Sequence, residues 1–527
     1  MTRGKYRITL RPTGTELEAP AGSPLRDLLF EQGVEFPCGG QGRCRGCRVR
    51  VLAGTAEIND AQRQRLSPDE LASGWRLACQ WSVESDLVLE LRQWDAAILT
   101  DETVFSFEPR RGLGVAVDLG TTTLVAQLLD LETGRVLAVR TALNAQARHG
   151  ADVMSRVQFA LTPDGRQQLE ELIRRQIGSL IDQLLFAFRV APSAAIVDVV
   201  LVGNTVMHHL FCGIDLEPLS HYPFEPTQLG LVTLRSSELG WNLPGDPVVR
   251  FLPCLGGFVG SDILAGVLAT RLAESEKLVA LIDLGTNGEI VVGNREKILC
   301  ASTAAGPAFE GARISMGMRA STGAISQVSV EDGRLSWHVL GNTEPSGICG
   351  SGLVDAVAAG LELKVIEPSG RLADRSNRWT ICPPVTLTQS DIRELQLAKG
   401  AIAAGLRILL ERWAPKEESD LGCLYLAGAF GNYVNRASAY RIGLLHLPPD
   451  QVVPAGNTAL LGAKLALFRL DGEDGSFADL RRRIEHVGLS SDPRFQDLFV
   501  EEMSFPVEPP SGRQFDADKL PVLQSYT

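Results

Sequence analysis

An internal repeat is the feature that most constrains how this 527-residue chain can fold. Gly114–Asp130 reads GVAVDLGTTTLVAQLLD, and Leu278–Gly293 reads LVALIDLGTNGEIVVG. Each segment has an apolar strand, then Asp-Leu-Gly-Thr, then a second apolar strand, so Asp118 and Asp283 occupy equivalent positions. Two widely separated copies of one β-hairpin predict a duplicated half-domain. The glycine-punctuated apolar runs and amphipathic helices around them predict an α/β fold.

The two hairpins suit the binding of a nucleoside triphosphate. An aspartate at the end of a buried strand can hold Mg²⁺ directly or through waters. The glycine after it lets the backbone approach a phosphate, and the threonine adds a hydroxyl beside exposed N–H groups. One such hairpin is a weak signal, whereas two that face each other across a cleft would clamp a triphosphate. The chain has no G-x4-G-K-[ST] string, which excludes a P-loop.

A glycine-rich segment late in the chain supplies a third element of a nucleotide site. Leu426–Val434 reads LAGAFGNYV and has the Gly-x-x-Gly spacing of an adenosine-binding turn. Its position after the second hairpin predicts that it forms the adenosine side of the same site.

Four cysteines near the amino terminus are spaced C-x5-C-x2-C-x31-C, and they are Cys38, Cys44, Cys47 and Cys79. Three thiolates on one glycine-rich loop and a fourth downstream resemble the [2Fe–2S] ligands of ferredoxins. A zinc site stays open as an alternative, although zinc sites usually pair two C-x2–4-C units. A disulfide framework is disfavoured because nothing else in the chain is typical of a secreted protein.

Bulk properties favour a cytoplasmic protein. A net charge of −12 and a pI near 5.3 argue against nucleic acid as a general partner. No run reaches the ~18 apolar residues of a membrane helix, and the first residues lack the apolar region of a signal peptide. The other six cysteines are dispersed singly, which predicts free thiols in a reducing compartment.

The three nucleotide elements together resemble the ASKHA superfamily, which includes acetate and sugar kinases and actin. With the cysteine quartet, the whole chain resembles a narrower group, the ATP-dependent reductive activators of corrinoid proteins. Supporting strings run nearly end to end, among them AVDLGTTTL, NAQARHGADVMSR, VVLVGNTVMHHLF, GGFVGSDILAG, SGICGSGLVDAVA and DIRELQLAKGAI.

The resemblance implies an α/β chain with a β-grasp [2Fe–2S] ferredoxin-like domain followed by a duplicated RNase H-like domain of the ASKHA, or actin-like ATPase, type. We predict the ferredoxin domain over residues 1–91, a linker over 92–112, ASKHA halves over 113–277 and 278–470, and a tail over 471–527 that packs on the ATPase. Better-known members carry a middle domain after the ferredoxin. The short interval between Cys79 and Asp118 predicts that this domain is absent or reduced to the linker.

Residue roles follow from the hairpins and the resemblance. We predict that Asp118 and Asp283 hold Mg²⁺ and phosphate, and that Asp262 activates the attacking water, with a helix N-cap as its alternative role. The predicted phosphate residues are Gly120, Thr121, Thr122, Gly285, Thr286 and Asn287. The predicted adenosine residues are Gly428, Gly431 and Asn432. The four cysteines are the predicted cluster ligands.

The implied activity is ATP-dependent reduction of an inactive Co(II) corrinoid protein to Co(I) through the [2Fe–2S] cluster, in support of methyl transfer. The implied cofactors are the cluster, ATP and Mg²⁺. The implied partners are the corrinoid protein of a methyltransferase system and a low-potential electron donor, and a homodimer is left open. Nucleic acid and membranes are not expected partners.

Two other function classes stay open on the residues alone. One is a small-molecule kinase with an appended redox domain, and the other is a redox-sensing ATP-binding regulator without turnover. An activator of 2-hydroxyacyl-CoA dehydratases is disfavoured, because those activators share a [4Fe–4S] cluster between subunits.

Overall fold

The computed structural model describes residues 5–11, 16–31, 47–55, 57–91, 107–150, 152–188, 196–285, 287–321, 323–374, 377–414, 421–431, 433–469 and 475–507. The chain forms two compact units, one from residues 1–97 and 306–398 and the other from residues 98–305 and 399–527. Within the described ranges, no helix combines the length and apolar character needed to cross a membrane.

The amino-terminal part of the first unit is a five-stranded sheet with short helices. Its elements are β1 (Lys5–Arg11), β2 (Glu16–Pro20), α1 (Leu25–Glu31), β3 (Arg48–Ala53), α2 (Asp60–Arg65), α3 (Pro68–Ala72), β4 (Trp75–Leu77) and β5 (Leu87–Leu91). The strand order is β2-β1-β5-β3-β4, with β1 and β5 parallel. Alternating side chains, such as Ile8 and Leu10 of β1, point into a small apolar core. This order is the predicted β-grasp arrangement.

The second unit begins with three antiparallel strands and continues with helices and parallel strands. These elements are β6 (Leu113–Leu119), β7 (Thr123–Asp130), β8 (Val136–Leu143), α4 (Val153–Ala160), α5 (Gly165–Phe188), β9 (Ile196–Gly203), α6 (Thr205–Cys212), β10 (Val232–Arg235), β11 (Val248–Phe251) and α7 (Ser261–Ala269). The apolar residues of α5 recur every three or four positions, so one face of that helix is buried.

The rest of the chain repeats this plan around an insertion that belongs to the first unit. Its first strands are β12 (Val279–Leu284), β13 (Gly288–Gly293) and β14 (Ile298–Thr303). The insertion holds β15 (Ala324–Glu331), β16 (Arg334–Val339), β17 (Gly347–Ile348), α8 (Gly350–Glu362), β18 (Arg378–Cys382) and β19 (Val385–Thr388). The remaining elements are α9 (Gln389–Trp413), β20 (Cys423–Ala427), α10 (Gly428–Gly431), α11 (Arg436–Arg441), β21 (Val452–Gly456), α12 (Thr458–Arg469), α13 (Gly475–Arg482), β22 (Ile484–His486) and α14 (Phe495–Met503).

The two six-stranded sheets of the second unit share one topology. The first contains the order β8-β7-β6-β9-β11 and the second the order β14-β13-β12-β20-β21. In each sheet the first three strands are antiparallel and the next two are parallel to the third. β10 extends the first sheet beyond β11, and β22 extends the second beyond β14. The predicted fold class and duplication are confirmed.

Two buried helices, α7 and α12, occupy equivalent places after β11 and β21. They approach so closely that a Cβ on Gly462 would lie 2.2 Å from the carbonyl oxygen of Ala265. Because only a glycine leaves room for this contact, the two backbones pack directly against each other. Each helix thereby reaches into the other half of the duplication.

One local prediction was wrong. The segment RRRIEHVG, Arg481–Gly488, reads as a helix from its residue types, but α13 ends at Arg482 and Ile484–His486 is a strand. That strand pairs in parallel with β14 at the edge of the second sheet. Backbone pairing with an available sheet edge overrides the local helix propensity.

His208 and His209 of α6 are fully buried. Burial, together with the neighbouring His209, lowers the pKa of His208 to about 3. Burial lowers the pKa of His209 to about 4, against opposing effects of the Thr205 carbonyl and Asp215. Both rings are therefore neutral in the folded protein at pH 7.

This pair predicts an acid-sensitive fold. An unfolded histidine takes up a proton near pH 6.5, so the stabilisation is complete above that pH and is lost as the pH falls toward 4. We expect the free energy of unfolding to drop by about 3 kcal/mol between pH 7.5 and pH 5.5 because of these two rings. Urea unfolding curves recorded at pH 7.5 and at pH 5.5 measure this drop in the free energy of unfolding.

Two variants isolate the histidine contribution from that of other titrating groups. His208→Gln should reduce the difference between the two pH values by about half. His221→Gln is the matched control, because His221 has a side chain that is 57% exposed and should leave the difference unchanged. An equal pH dependence in all three proteins would contradict the assignment.

Candidate nucleotide and iron–sulfur sites

Cys47 and Cys79, the two cysteines of the quartet that the structure describes, lie at one end of the β3–β4 pair. Cys47 directly precedes β3, and the N–H of Ala78 donates to its carbonyl oxygen at 3.1 Å, so Cys79 follows at the next position of the facing chain. The Gln80 side chain donates to the Cys79 sulfur at 3.6 Å. The Cys47 side chain is buried, and that of Cys79 is partly buried. Two neighbouring thiols with an N–H donor to sulfur fit an iron–sulfur cluster; Cys38 and Cys44 lie outside the described residues.

The first hairpin places Asp118 one residue before the end of β6. The turn is closed by the Gly120 N–H, which donates to the Thr123 carbonyl at 3.2 Å. A Cβ on Gly120 would lie 2.5 Å from that same oxygen, so the turn needs glycine there. The predicted phosphate residues 120–122 therefore form one tight turn beside Asp118.

Side chains from the rest of the first half fix this turn. The Gly120 carbonyl accepts from the Asn144 side chain at 2.9 Å, and the Thr121 carbonyl accepts from the Arg156 guanidinium at 2.6 Å. The Thr121 hydroxyl accepts from the Asn204 side chain at 2.8 Å. Sequence reasoning assigned none of these three residues a role. They stabilise the turn by satisfying its carbonyl and hydroxyl oxygens.

The second hairpin repeats the arrangement with a shorter turn. Asp283 is one residue before the end of β12, and the Gly285 N–H donates to the Asn287 carbonyl at 3.0 Å. Thr286 lies outside the described residues. The register places Glu289 of β13 directly opposite Asp283, whereas Val125 stands opposite Asp118 in the first hairpin.

The structure brings the predicted adenosine turn to the second hairpin. Gly428 has a φ of +85°, and a Cβ there would lie 2.6 Å from the Asp283 carboxylate oxygen Oδ1. At Gly431 a Cβ would lie 3.1 Å from the Leu426 side chain. Asn432 lies outside the described residues. Only glycine at position 428 allows the turn to approach the carboxylate this closely.

The contact between Gly428 and the Asp283 carboxylate predicts that one added methyl group at position 428 strongly weakens nucleotide binding. Gly428→Ala should raise the dissociation constant of Mg-ATP at least about 10-fold, because the Cβ must displace the Asp283 carboxylate. Gly240→Ala is the matched control, since Gly240 also has a positive φ, +73°, but its Cβ would meet nothing within 4 Å. Calorimetric titration of both variants measures the difference. Equal affinities of the two variants would show that the close approach of Gly428 to the Asp283 carboxylate does not govern nucleotide binding.

Four carboxyl groups converge between the halves of the second unit: Asp118, Asp262, Asp283 and Glu289. Burial raises the pKa of Asp118 to about 6. Burial and the charge of Asp283 raise the pKa of Asp262 to about 7, and burial and Asp118 raise that of Asp283 to about 7. Burial, Asp262 and Asp283 raise the pKa of Glu289 well above its usual range. Such mutual repulsion is what a bound cation would relieve.

The carboxyls are not arranged as direct ligands of one ion. Among the residues that the structure describes, no three His, Cys, Asp or Glu side chains are placed to hold a metal together. Asp118 and Asp283 are half-buried, and each lies one residue before the end of a strand, beside a predicted phosphate turn. The arrangement fits a magnesium ion held largely by waters and nucleotide phosphates.

Asp262 lies in the first turn of α7 and accepts from the Ile263 N–H at 2.9 Å. The N-cap position belongs to Gly260, so the alternative role of Asp262 as N-cap is wrong. A Cβ on Gly260 would lie 2.1 Å from the Gly203 carbonyl, and this close packing seats the start of α7 against β9. Asp262 is thereby held near Asp283 of the opposite half.

Asn457 is a site residue that sequence reasoning missed. Its side-chain amide donates to the Asp118 carboxylate at 2.8 Å, and its side-chain oxygen accepts from the Leu460 N–H at 2.8 Å. The hydrogen bond lowers the pKa of Asp118 against the larger effect of burial. Both halves therefore send the start of a helix to the aspartate of the other half.

Comparison with known proteins matches this architecture along the chain. Residues 8–84 match a 2Fe–2S iron–sulfur cluster binding domain, residues 113–275 the RACo middle region, and residues 277–513 the C-terminal domain of RACo, the ASKHA domain. The corrinoid activation enzyme RamQ of Eubacterium limosum is 36% identical over 422 residues, which are 74% of this chain and 70% of RamQ. The chain belongs to the RACo family.

Two further relatives support the assignment of this chain to the RACo family. A [Co(II) methylated amine-specific corrinoid protein] reductase of Methanosarcina barkeri is 28% identical over 74% of the chain and 77% of its own length. The solved structure of a reductive activator for corrinoid, iron–sulfur protein aligns with a TM-score of 0.67 at 28% identity, covering 95% of this chain and 98% of the other. The predicted family is confirmed, while the predicted domain boundaries, the absent or reduced middle domain and the residue roles stay predictions.

Proposed function

We propose that this RACo-family chain is an ATP-dependent reductive activator that returns one electron to an inactive Co(II) corrinoid protein, giving Co(I). The observation that carries the proposal is the 36% identity with a corrinoid activation enzyme over 74% of the chain. The match of residues 8–84 to a 2Fe–2S domain supports an electron-transfer step, and the ASKHA match supports the use of ATP.

The cysteine quartet would hold the [2Fe–2S] cluster, which supplies electrons one at a time. The closeness of Cys47 and Cys79 on the β3–β4 pair supports this role, and the Gln80 amide would stabilise a Cys79 thiolate by hydrogen bonding. A low-potential donor would reduce the cluster.

The four carboxyls and the two phosphate turns would bind Mg-ATP. Asp118 and Asp283 would orient the ion from opposite halves, and the ion would neutralise their mutual repulsion. Asp262 would take the proton of the attacking water, a role for which a pKa near neutrality is suited. Closure of the halves on nucleotide would then favour one of two conformations, because a ligand shifts such an equilibrium only through unequal affinity.

The test is reduction of a purified Co(II) corrinoid protein by the full chain with a low-potential reductant. We expect the visible spectrum to change to that of Co(I), or of methylcobalt when a methyl donor is present, only when ATP is added. A spectrum that is unchanged, or that changes equally without ATP, would contradict the proposal. Phosphoryl transfer to an added alcohol or carboxylate, in place of release of phosphate, would favour the kinase alternative. Sedimentation of the same sample determines whether the chain is a dimer.

A further inference from the structure

We infer that helix α12 couples the nucleotide site to the tether of the ferredoxin domain. Asn457, which caps the start of α12, holds Asp118, and the last turn of α12 holds Phe107 and Arg110, which precede β6. The inference rests on the proposed function, in which ATP would change the position of the domain that carries the cluster.

The start of α12 and the carboxylate of Asp118 share one side chain. Asn457 caps the helix by accepting from the Leu460 N–H, and it donates its amide to Asp118, both at 2.8 Å. Because a single planar amide makes both bonds, Asp118 cannot change position without moving the helix start or losing a hydrogen bond. A desolvated carboxylate that loses its donor is costly, so movement of the helix is the favoured response.

The body of α12 is suited to transmit such a movement. Every residue from Thr458 to Leu467 is buried. A helix of this length spans about 18 Å. At its middle, Gly462 packs on the backbone of Ala265 in α7, which carries Asp262 in its first turn. Close-packed helices shift as stiff bodies, since their interiors cannot be compressed.

The end of α12 binds the segment that precedes β6. The Arg110 guanidinium donates to the Leu467 carbonyl and lies 3.4 Å from the buried carboxylate of Asp198. The ring centres of Phe107 and Phe468 are 4.6 Å apart. A Cβ on Gly134 would lie 2.4 Å from the Phe107 ring, so the ring is enclosed on a second side. Residues 107–110 are therefore seated on the last turn of α12.

These contacts form one continuous route within the second unit, from Asp118 to the segment that follows the ferredoxin domain in sequence. A displacement of α12 on nucleotide binding changes where residues 107–110 are held. The ATP-dependent step would thereby act on the position of the cluster, not on its potential.

Hydrogen exchange tests the route without any corrinoid protein. Addition of a non-hydrolysable Mg-ATP analogue to the full chain should change amide exchange in peptides covering residues 107–113 and 463–469. In Asn457→Ser the analogue should still bind, but the response of these peptides should fall at least about 5-fold, since serine keeps the helix cap and replaces the amide that reaches Asp118 with a shorter hydroxyl. Asn435→Ser is the matched control, because Asn435 caps α11 and should leave the response unchanged.

Kinetics separate positioning from general damage. Asn457→Ser should lower kcat for ATP hydrolysis about 10-fold while KM changes less than about 3-fold, because the carboxylate is misplaced and not removed. Phe107→Ala should leave ATP hydrolysis within about 2-fold of the parent and lower the number of cobalt centres reduced per ATP at least about 10-fold. Arg110→Lys is a milder second variant, and the exposed neighbour Arg111→Ala is its control.

Opposite results would overturn the inference. These are an unchanged exchange pattern at residues 107–113 in the parent protein with bound analogue, or a normal cobalt-to-ATP ratio in both Phe107→Ala and Arg110→Lys. If the parent protein reduces no corrinoid, the proposed function fails, whereas the exchange measurement still decides whether α12 couples the two ends.

Discussion

Asp283→Asn is expected to lower the rate of ATP hydrolysis at least about 100-fold, the size typical of removing one preorganised charge from an active site. Asp283 lies among the other three carboxyls and against the Gly428 turn, so its charge is the one most surrounded by site residues. Asparagine keeps its shape and removes the charge. We therefore expect the variant to unfold at the same or a higher temperature than the parent, because the repulsion with Asp118 and Asp262 is relieved.

Asp391, a buried aspartate of the first unit, provides a control for which we expect lower stability and unchanged hydrolysis. The Asp391 carboxylate accepts from the Ser315 N–H, the Ser315 hydroxyl and the Thr388 N–H at 2.6–2.7 Å. Asp391→Asn should destabilise the protein by about 1–3 kcal/mol and leave hydrolysis by the folded fraction intact. Steady-state phosphate release and thermal unfolding measure both variants. Hydrolysis by Asp283→Asn within 10-fold of the parent would remove Asp283 from the site.

Cys79→Ser is expected to abolish the [2Fe–2S] spectrum and to lower the rate of corrinoid reduction at least about 100-fold while ATP hydrolysis continues. A serine hydroxyl is a poor substitute for a thiolate ligand, and loss of one ligand exposes the cluster to solvent. Iron and sulfide analysis, the visible spectrum and the paramagnetic resonance of the dithionite-reduced protein measure the cluster. Phosphate release measures the ATPase in the same sample.

Cys382→Ser is the matched control for this prediction. Cys382 is a free, buried cysteine of the same unit and should retain full iron and sulfide. Zinc in place of iron in the parent protein, lost in Cys79→Ser, would restore the zinc alternative. Full cluster content in Cys79→Ser would place the fourth ligand elsewhere.

The sequence was sufficient to select candidate site residues whose placement depends on local chain geometry. Asp118 and Asp283 end buried strands before a glycine turn, and this pattern is visible in a short window of residues. Glu289 was within reach of the same reasoning, because the register of a hairpin with a three-residue turn places it opposite Asp283. It was missed because the composition of the turn, and not its length, was considered.

Asn457 could not have been found in this way. Its contact joins residues 339 positions apart, and it depends on how two halves of a duplication pack. The same limit applies to Gly428: a glycine-rich turn is evident in LAGAFGNYV, but its distance to the Asp283 carboxylate is a tertiary property. The strand β22 was missed for a related reason, since its partner is an edge strand far away in sequence.

The turn of the first hairpin is one residue longer than that of the second, as the registers of β6–β7 and β12–β13 require. A duplicated cleft with two identical turns would be indifferent to direction and would accept a triphosphate either way round. The extra residue on one side, together with the glycine turn at Gly428 on the other, removes that equivalence. The two walls that the duplication provides are therefore not equivalent, and we expect a bound nucleotide to lie in one direction between them.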